Sequence, residues 1–286
     1  MNKIIFGITG LTLGGAERVL VDIANALVDK YDITIFTLYS KGELEKELDK
    51  KIHLISLYDF KYTELSKFKR KMIPLKVLFN QKKIFKEYIE KGNYHAQIAF
   101  LEGPITRIFS TKSNAKKIAW IHNDISKVFG KSVKATIKRI LDRNIYEKYD
   151  TLAFVSVDNL DKFNKVYDDM DLPHETVIHN YINAERILEL SEKDEEAKKT
   201  FNSRELNLVQ VSRLVEQKAV DRLIDVHAKL IKQGYKHHIY VIGDGPLREK
   251  LLKQIKENKV EDTFTILGAK KNPYQFMKNA DAVCLF

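Results

Sequence analysis

A chain of 286 residues with 44% hydrophobic content has room for two globular domains at roughly 100–200 residues each, and its single cysteine, Cys284, excludes an internal disulfide and points away from an oxidising compartment. No stretch approaches the roughly twenty apolar residues of a membrane span, and the first apolar run breaks at Gly7, too early for a signal-peptide core, so a cytoplasmic protein is expected. The net charge of +10 is unevenly placed: residues 61–91 and 112–148 each hold ten lysines and arginines against three acids, and a basic first half suggests an anionic partner for that half.

Residues 3–8 read as a buried strand, 9–15 as a loop and 16–29 as a helix with Ala16, Val19, Leu20, Ile23, Ala24 and Leu27 on one face. This strand, loop and helix begin an α/β sheet. Gly14 and Gly15 either let a ligand approach the backbone closely or form a plain strand-to-helix turn. A G-x-G-x-x-G pattern is absent, and the second strand, 32–38, ends without an acid for a ribose, which weighs against a dehydrogenase. A third strand spans 52–57. The basic segment 64–91 then reads as helical, with Pro74 expected to break or kink it. Its Leu65, Phe68, Met72, Ile73, Leu75, Leu78 and Phe79 interleave with lysines. Such a segment either lies on an anionic membrane surface or turns its apolar face to the core and leaves a solvated basic back.

A fourth strand, 95–101, ends at Glu102-Gly103-Pro104, with proline placed to open a helix. Glu102 at that strand end either binds an acceptor hydroxyl or stabilises the helix start. A fifth strand, 115–121, ends at His122-Asn123-Asp124. A histidine just past a buried strand can exchange a proton near pH 7, or it is structural. A second basic helix is expected over 133–148 and a sixth strand over 151–156, with Ser156 capping the next helix. A last short strand, 176–179, leads into Asn180-Tyr181-Ile182-Asn183. Residues 184–204 are polar and charged and suit a surface helix or linker.

The organising stretch is 206–248. An apolar strand, 206–211, ends at Ser212. Arg213 and Lys218 follow, and an amphipathic helix starts near Val220. A strand end, two cations and a helix start favour a phosphorylated ligand, because free helix N–H groups and the macrodipole attract anions. A second strand, 238–242, ends in Gly243-Asp244-Gly245-Pro246, so a second turn opens at the same edge, where ligands of open α/β sheets collect. A helix over 246–258, a strand over 263–267, a short helix from 273 and a strand over 280–286 complete the chain.

Ser-Arg-Leu-Val-Glu-Gln-Lys-Ala at 212–219, followed by Gly-Asp-Gly-Pro-Leu at 243–247, resembles the donor-binding signature of the retaining glycosyltransferases of family 4 (glycosyl transferases group 1), which have the GT-B fold. That family more often has glycine where Ser212 and Ala219 stand. Gly-Gly-Ala-Glu-Arg at 14–18, His122 and the partial crossover match at 180–183 extend the resemblance over essentially the whole chain. It implies two Rossmann-like α/β domains facing a cleft: an acceptor-side domain over 1–180, a crossover over 181–204, and a nucleotide-sugar-binding domain over 205–286. It implies that Arg213 and Lys218 hold a nucleotide-sugar diphosphate, with Gly14, Gly15, Gly243, Asp244, Gly245 and Pro246 lining the donor site. His122 positions donor sugar and acceptor, with Glu102 and Asp124 on the acceptor side. The partners implied are a nucleotide sugar and a lipid-linked or saccharide acceptor, in bacterial surface polysaccharide or lipopolysaccharide assembly, with an anionic membrane surface as a further candidate. No metal is expected, since no Asp-x-Asp pair or metal cluster is visible, and no nucleic acid, since no recognised motif accompanies the basic charge. The family's Glu-x7-Glu motif follows the strand matching 281–286. A truncated second domain is therefore expected, and with it the alternative of a non-catalytic, degenerate binding module.

Overall fold

The computed structural model describes residues 1–125, 142, 144–168, 170–201 and 205–285. They form two compact units, Met1–Ile182 and Asn183–Phe286. Both are α/β. The expected helix over 133–148 falls for the most part outside the described residues.

The first unit is built on a seven-stranded sheet in the order β3-β2-β1-β4-β5-β6-β7. Its strands are β1 Asn2–Ile8, β2 Tyr31–Tyr39, β3 His53–Tyr58, β4 Ala96–Ala99, β5 Lys116–Ile121, β6 Thr151–Phe154 and β7 His174–Val177. Every pairing is parallel. A parallel sheet is covered on both faces, so its strands read as near-continuous apolar runs. In β1, Ile5 packs into a core with Phe36, Phe85 and Phe109, while Ile4, Phe6 and Ile8 pack into the opposite core with Leu20, Ile35 and Phe100. Fully burying each such side chain contributes about 1.5–3 kcal/mol. Helix α1, Gly15–Leu27, covers the second of these cores through Leu20, Val21 and Ala24.

Pro74 does not end its helix. Helix α2 runs Lys67–Tyr88 through it, capped by Ser66, whose Oγ accepts from Lys69 N–H at 3.4 Å. The apolar residues of this segment divide between two faces. Ile73, Val77, Ile84 and Phe85 are buried. Phe68 and Phe79 are 72% and 82% exposed, and Leu75 is exposed with them. Part of the positive charge of the next segment is spent inside the fold. Lys117 is buried, and its ammonium donates to the Phe109 and Thr111 carbonyls at the end of helix α3, Pro104–Phe109. Burial pushes its pKa down to about 8. Arg107 pairs with Asp142.

The second unit opens with two short helices, α5 Ala184–Glu192 and α6 Glu195–Thr200, in the stretch expected to be a surface helix or linker; helix α4, Val157–Val166, belongs to the first unit and is capped by Ser156 Oγ as expected. The sheet has four parallel strands, β8 Leu206–Val211, β9 His237–Ile242, β10 Phe264–Gly268 and β11 Ala282–Val283, in the order β10-β9-β8-β11. The last strand is shorter than the expected 280–286. Helices α7 Val220–Lys232 and α8 Arg248–Glu257 cover one face through Leu223, Ile224, Leu251 and Ile255, and α9 Tyr274–Asn279 brings Phe276 to the other. Among the described residues no helix is long and apolar enough to cross a membrane.

Three histidines make the second unit sensitive to acid. His227 is fully buried, with Nδ1 2.8 Å from His237 Nε2 and Nε2 2.9 Å from Thr263 Oγ1. Burial, then the neighbouring His237 and His238, push its pKa from 6.5 down to about 4. Burial also lowers His237 and His238, against the pull of Glu205. A folded pKa below the unfolded one means that the unfolded chain takes up protons first as pH falls. The stability held by this cluster is whole above about 6.5 and is lost as pH falls from there towards about 4. Urea unfolding followed between about pH 7 and about pH 4.5 is therefore expected to show a falling midpoint, and His227→Gln to flatten the slope.

Candidate active site

Two sites arise at carboxyl ends of parallel strands, one in each unit. In the second unit the strand order reverses at β8, which has β9 on one side and β11 on the other; such a switch point is where open α/β sheets bind ligands. The segment after β8 is locked to the one after β9. Ser212 N–H donates to the Ile242 carbonyl at 3.0 Å, Leu214 N–H to Asp244 O at 3.0 Å, and Leu247 N–H to Leu214 O at 3.2 Å. The contact is backbone on backbone. A Cβ on Gly243, at φ +149°, would stand 1.8 Å from the Ser212 carbonyl oxygen, and one on Gly245 would stand 2.5 Å from the Leu214 oxygen. The two glycines thus serve first to bring the turn against the Arg213 loop, and Asp244 and Pro246 are the exposed members of it.

Arg213 is exposed and Lys218 half-buried. Among the described residues neither cationic group has a carboxylate or carbonyl partner. Gln210, fully buried, reaches from β8 to donate to the Lys218 carbonyl at 3.2 Å, so the turn carrying Lys218 is tied to the strand. Ala219 follows with φ +45°, as the N-cap of helix α7. A left-handed non-glycine residue costs roughly 1–2 kcal/mol, a physical reason for the glycine more usual at this position. The intrahelical ladder begins with Leu223 N–H to Ala219 O at 3.1 Å, which leaves the first-turn N–H groups of α7 directed to the strand-end side. Arg248, the first residue of α8, is a third cation near this edge, with Nη1 3.7 Å from where a Gly268 Cβ would lie. The side chains of Gln210 and Ser212 also each hold a buried oxygen without a hydrogen-bond partner.

In the first unit the edge carries the loop after β1, Glu102 after β4 and His122 after β5. Gly14 is the N-cap of α1, and a Cβ on Gly15 would meet nothing within 4 Å. Both oxygens of the Glu102 carboxylate are engaged by the neighbouring strand end. Its Oε1 accepts from His122 N–H at 2.6 Å and Asn123 N–H at 2.7 Å, and its Oε2 accepts from Asn123 Nδ2 at 2.8 Å. Burial raises its pKa, opposed by these bonds from Asn123 and His122. Asn123 is braced from a second side, since Asn159 Nδ2 on α4 donates to its carbonyl at 2.8 Å.

The His122 ring lies against Phe100, 4.6 Å between centroids, and stacks near Trp120 at 6.1 Å. Burial pushes its pKa down to about 4, so the imidazole is neutral at pH 7. Its Nε2 is buried with no hydrogen-bond partner, a costly position of about 1–3 kcal/mol for a polar atom. Asp124 does not join it: the carboxylate faces Lys162 Nζ at 3.2 Å. Asn123 and Asn159 were missed as holders of this turn. The only local signal was the Ser-x-Asp-Asn cap, which placed Asn159 on the helix start but not against residue 123. Among the described residues no group of three or more histidines, cysteines or acids could hold a metal ion.

Residues 191–286 match the family model described as Glycosyl transferases group 1. The chain is 24% identical over 289 residues to the Campylobacter jejuni N-acetylgalactosamine-N,N'-diacetylbacillosaminyl-diphospho-undecaprenol 4-alpha-N-acetylgalactosaminyltransferase, covering 98% of this chain and 73% of that one. It is 24% identical over 303 residues to the amylovoran biosynthesis glycosyltransferase AmsD of Erwinia amylovora, covering all of this chain and 74% of that one. Among solved structures it is similar to HepE of Anabaena in complex with UDP and glucose, with a TM-score of 0.71 at 17% identity over 100% of this chain and 74% of that one. The family-model match thus falls within the second unit, and the fold of the chain is the GT-B fold of these solved glycosyltransferase structures.

Proposed function

We propose that the chain transfers a sugar from a nucleotide-diphosphate sugar to a lipid-linked or saccharide acceptor, with retention, in the assembly of a bacterial surface polysaccharide. The observation that carries this reading is the pair of cations, Arg213 and Lys218, without ion-pair partners among the described residues, at the carboxyl end of β8 beside the first turn of α7. Two positive charges and helix N–H groups suit a diphosphate, whose charge grows as it leaves. In this reading the cations neutralise that charge in place of a metal. The support from relatives is that HepE binds UDP and glucose and that the Campylobacter enzyme is named for a diphospho-undecaprenol acceptor.

In the proposed reaction the bond from the anomeric carbon to the diphosphate oxygen breaks. The acceptor oxygen bonds to that carbon from the side the diphosphate leaves, and the acceptor proton passes to the departing diphosphate oxygen. The first unit contributes the neutral His122, whose buried Nε2 gains a hydrogen-bond partner from a sugar or acceptor hydroxyl. Glu102 holds the His122–Asn123 backbone and does not touch substrate.

The acceptor's lipid end calls for a place at the inner face of the plasma membrane, and α2 supports one. Phe68, Leu75 and Phe79 recur at helical spacing on its outer side with Lys82 and Lys86, flanked by Lys69, Lys76 and Lys83. These five lysines have no ion-pair partner among the described residues. Each basic side chain near an anionic surface contributes about 1 kcal/mol.

Calorimetric titration with UDP and GDP tests the first point. Arg213→Met and Lys218→Met are each expected to weaken nucleoside diphosphate binding about 10- to 100-fold, the loss of one charged hydrogen bond. Unchanged affinity in both would remove the donor site. Glu102→Gln places an amide N–H against the Asn123 amide, so the turn should loosen. We expect kcat to fall about tenfold with nucleotide affinity unchanged. Sedimentation with vesicles checks the membrane face: binding to phosphatidylglycerol vesicles but not to pure phosphatidylcholine is expected, weakened at least about tenfold in the double variant Phe68→Ser, Phe79→Ser.

A further inference from the structure

A cavity of about 260 Å³ opens in the first unit between the loop after β1 and the end of β2, beside the Gly14–Gly15 turn. Its walls are fixed. Leu38 and Tyr39 N–H both donate to Thr9 O at 3.1 Å, and Leu44 N–H donates to Leu11 O at 2.9 Å. A Cβ on Gly42 would stand 2.3 Å from that same Leu11 oxygen. Lys41 holds a left-handed backbone, φ +63°, a conformation that persists in a non-glycine residue only where its surroundings enforce it. The cavity is therefore a built feature of the strand ends.

Its lining chemistry discriminates among occupants. Tyr62, 43% exposed, presents its ring, which lies tilted on the buried ring of Tyr39 with centroids 5.3 Å apart. Two lysines line it, and both are neutralised. Lys41 donates to the Asp59 carbonyl at 3.0 Å and pairs with its carboxylate at 3.5 Å, and Lys61 pairs with Glu43 at 3.1 Å. With Glu17 and Glu43 also in the lining, the walls carry no net positive charge. That composition is the reverse of the Arg213–Lys218 site and does not suit a phosphate. Aromatic faces pack the C–H faces of a ring, and carboxylates and hydroxyls accept and donate to its hydroxyl groups.

We propose that this cavity binds an uncharged pyranose ring of the acceptor, stacked on Tyr62, and excludes the acceptor's phosphate end. The assignment rests on the transferase reading for the word acceptor, but the binding of a neutral sugar here is tested apart from it. Saturation-transfer difference NMR on the full chain uses the methyl glycosides of glucose, galactose, N-acetylglucosamine and N-acetylgalactosamine at about 10 mM, suited to millimolar dissociation constants. At least one glycoside is expected to give a signal. Tyr62→Ala and Glu43→Gln should each lower it about fivefold, Tyr62→Phe should leave it within about twofold, and inorganic pyrophosphate should not displace it. No signal from any glycoside, a signal indifferent to both Tyr62→Ala and Glu43→Gln, or displacement by pyrophosphate overturns the proposal. UDP binding measured on the same samples separates the two readings. Glycoside bound through Tyr62 without nucleotide binding leaves the cavity assigned and removes the transferase; nucleotide binding without glycoside removes the cavity alone.

Discussion

At Gly243 the Ser212 carbonyl stands where a side chain would begin. This contact governs the second unit. It lets two loops from neighbouring parallel strands lie with their backbones touching, closed by the bonds from Ser212 to Ile242 and from Leu214 to Asp244. Arg213 lies between these two bonds, so its backbone is clamped on both sides while its guanidinium faces outward. Any larger residue at 243 would lift the turn and release that clamp. The charge is placed by backbone packing rather than by a partner carboxylate, which leaves it available to an anion.

The first unit fixes its edge by a different means. No glycine contact holds His122. A buried carboxylate does, with both Glu102 oxygens engaged by the 122–123 segment and Asn159 bracing the far side. Burying a carboxylate is expensive unless hydrogen bonds repay it, and three N–H donors do so here. The His122 ring, set between Phe100 and Trp120, is kept neutral by the same exclusion of water that makes its unpartnered nitrogen costly.

Much of this could be read from residue order. Strands buried on both faces appear as unbroken apolar runs, so β1, β5 and β8 lay within two residues of expectation. Arg213, Lys218 and the 243–246 turn were legible because strand, loop and helix are contiguous there. What escaped was contact across long separations. Asp124 was expected near the histidine, but Lys162, on a helix far along the chain, claims it. Pro74 was expected to break or kink α2; it does not break it, and buried Ile73, Val77 and Ile84 anchor the helix on either side of it. The cavity beside Gly14 draws its walls from residues 9–12, 39–43 and 61–62, three segments that no local pattern joins.

The central place of β1 has a consequence during synthesis. It pairs with β2 from Asn2 with Tyr31 to Ile8 with Thr37, but its other neighbour is β4, which pairs with it from Ile4 with Ala96 to Gly7 with Ala99. An apolar strand with one bare edge must wait until β4 has left the ribosome before that edge is covered. Exposed strand edges and apolar surface are what make partly made chains stick to one another. The nascent first unit is accordingly the stage at which a chaperone has most to offer this protein.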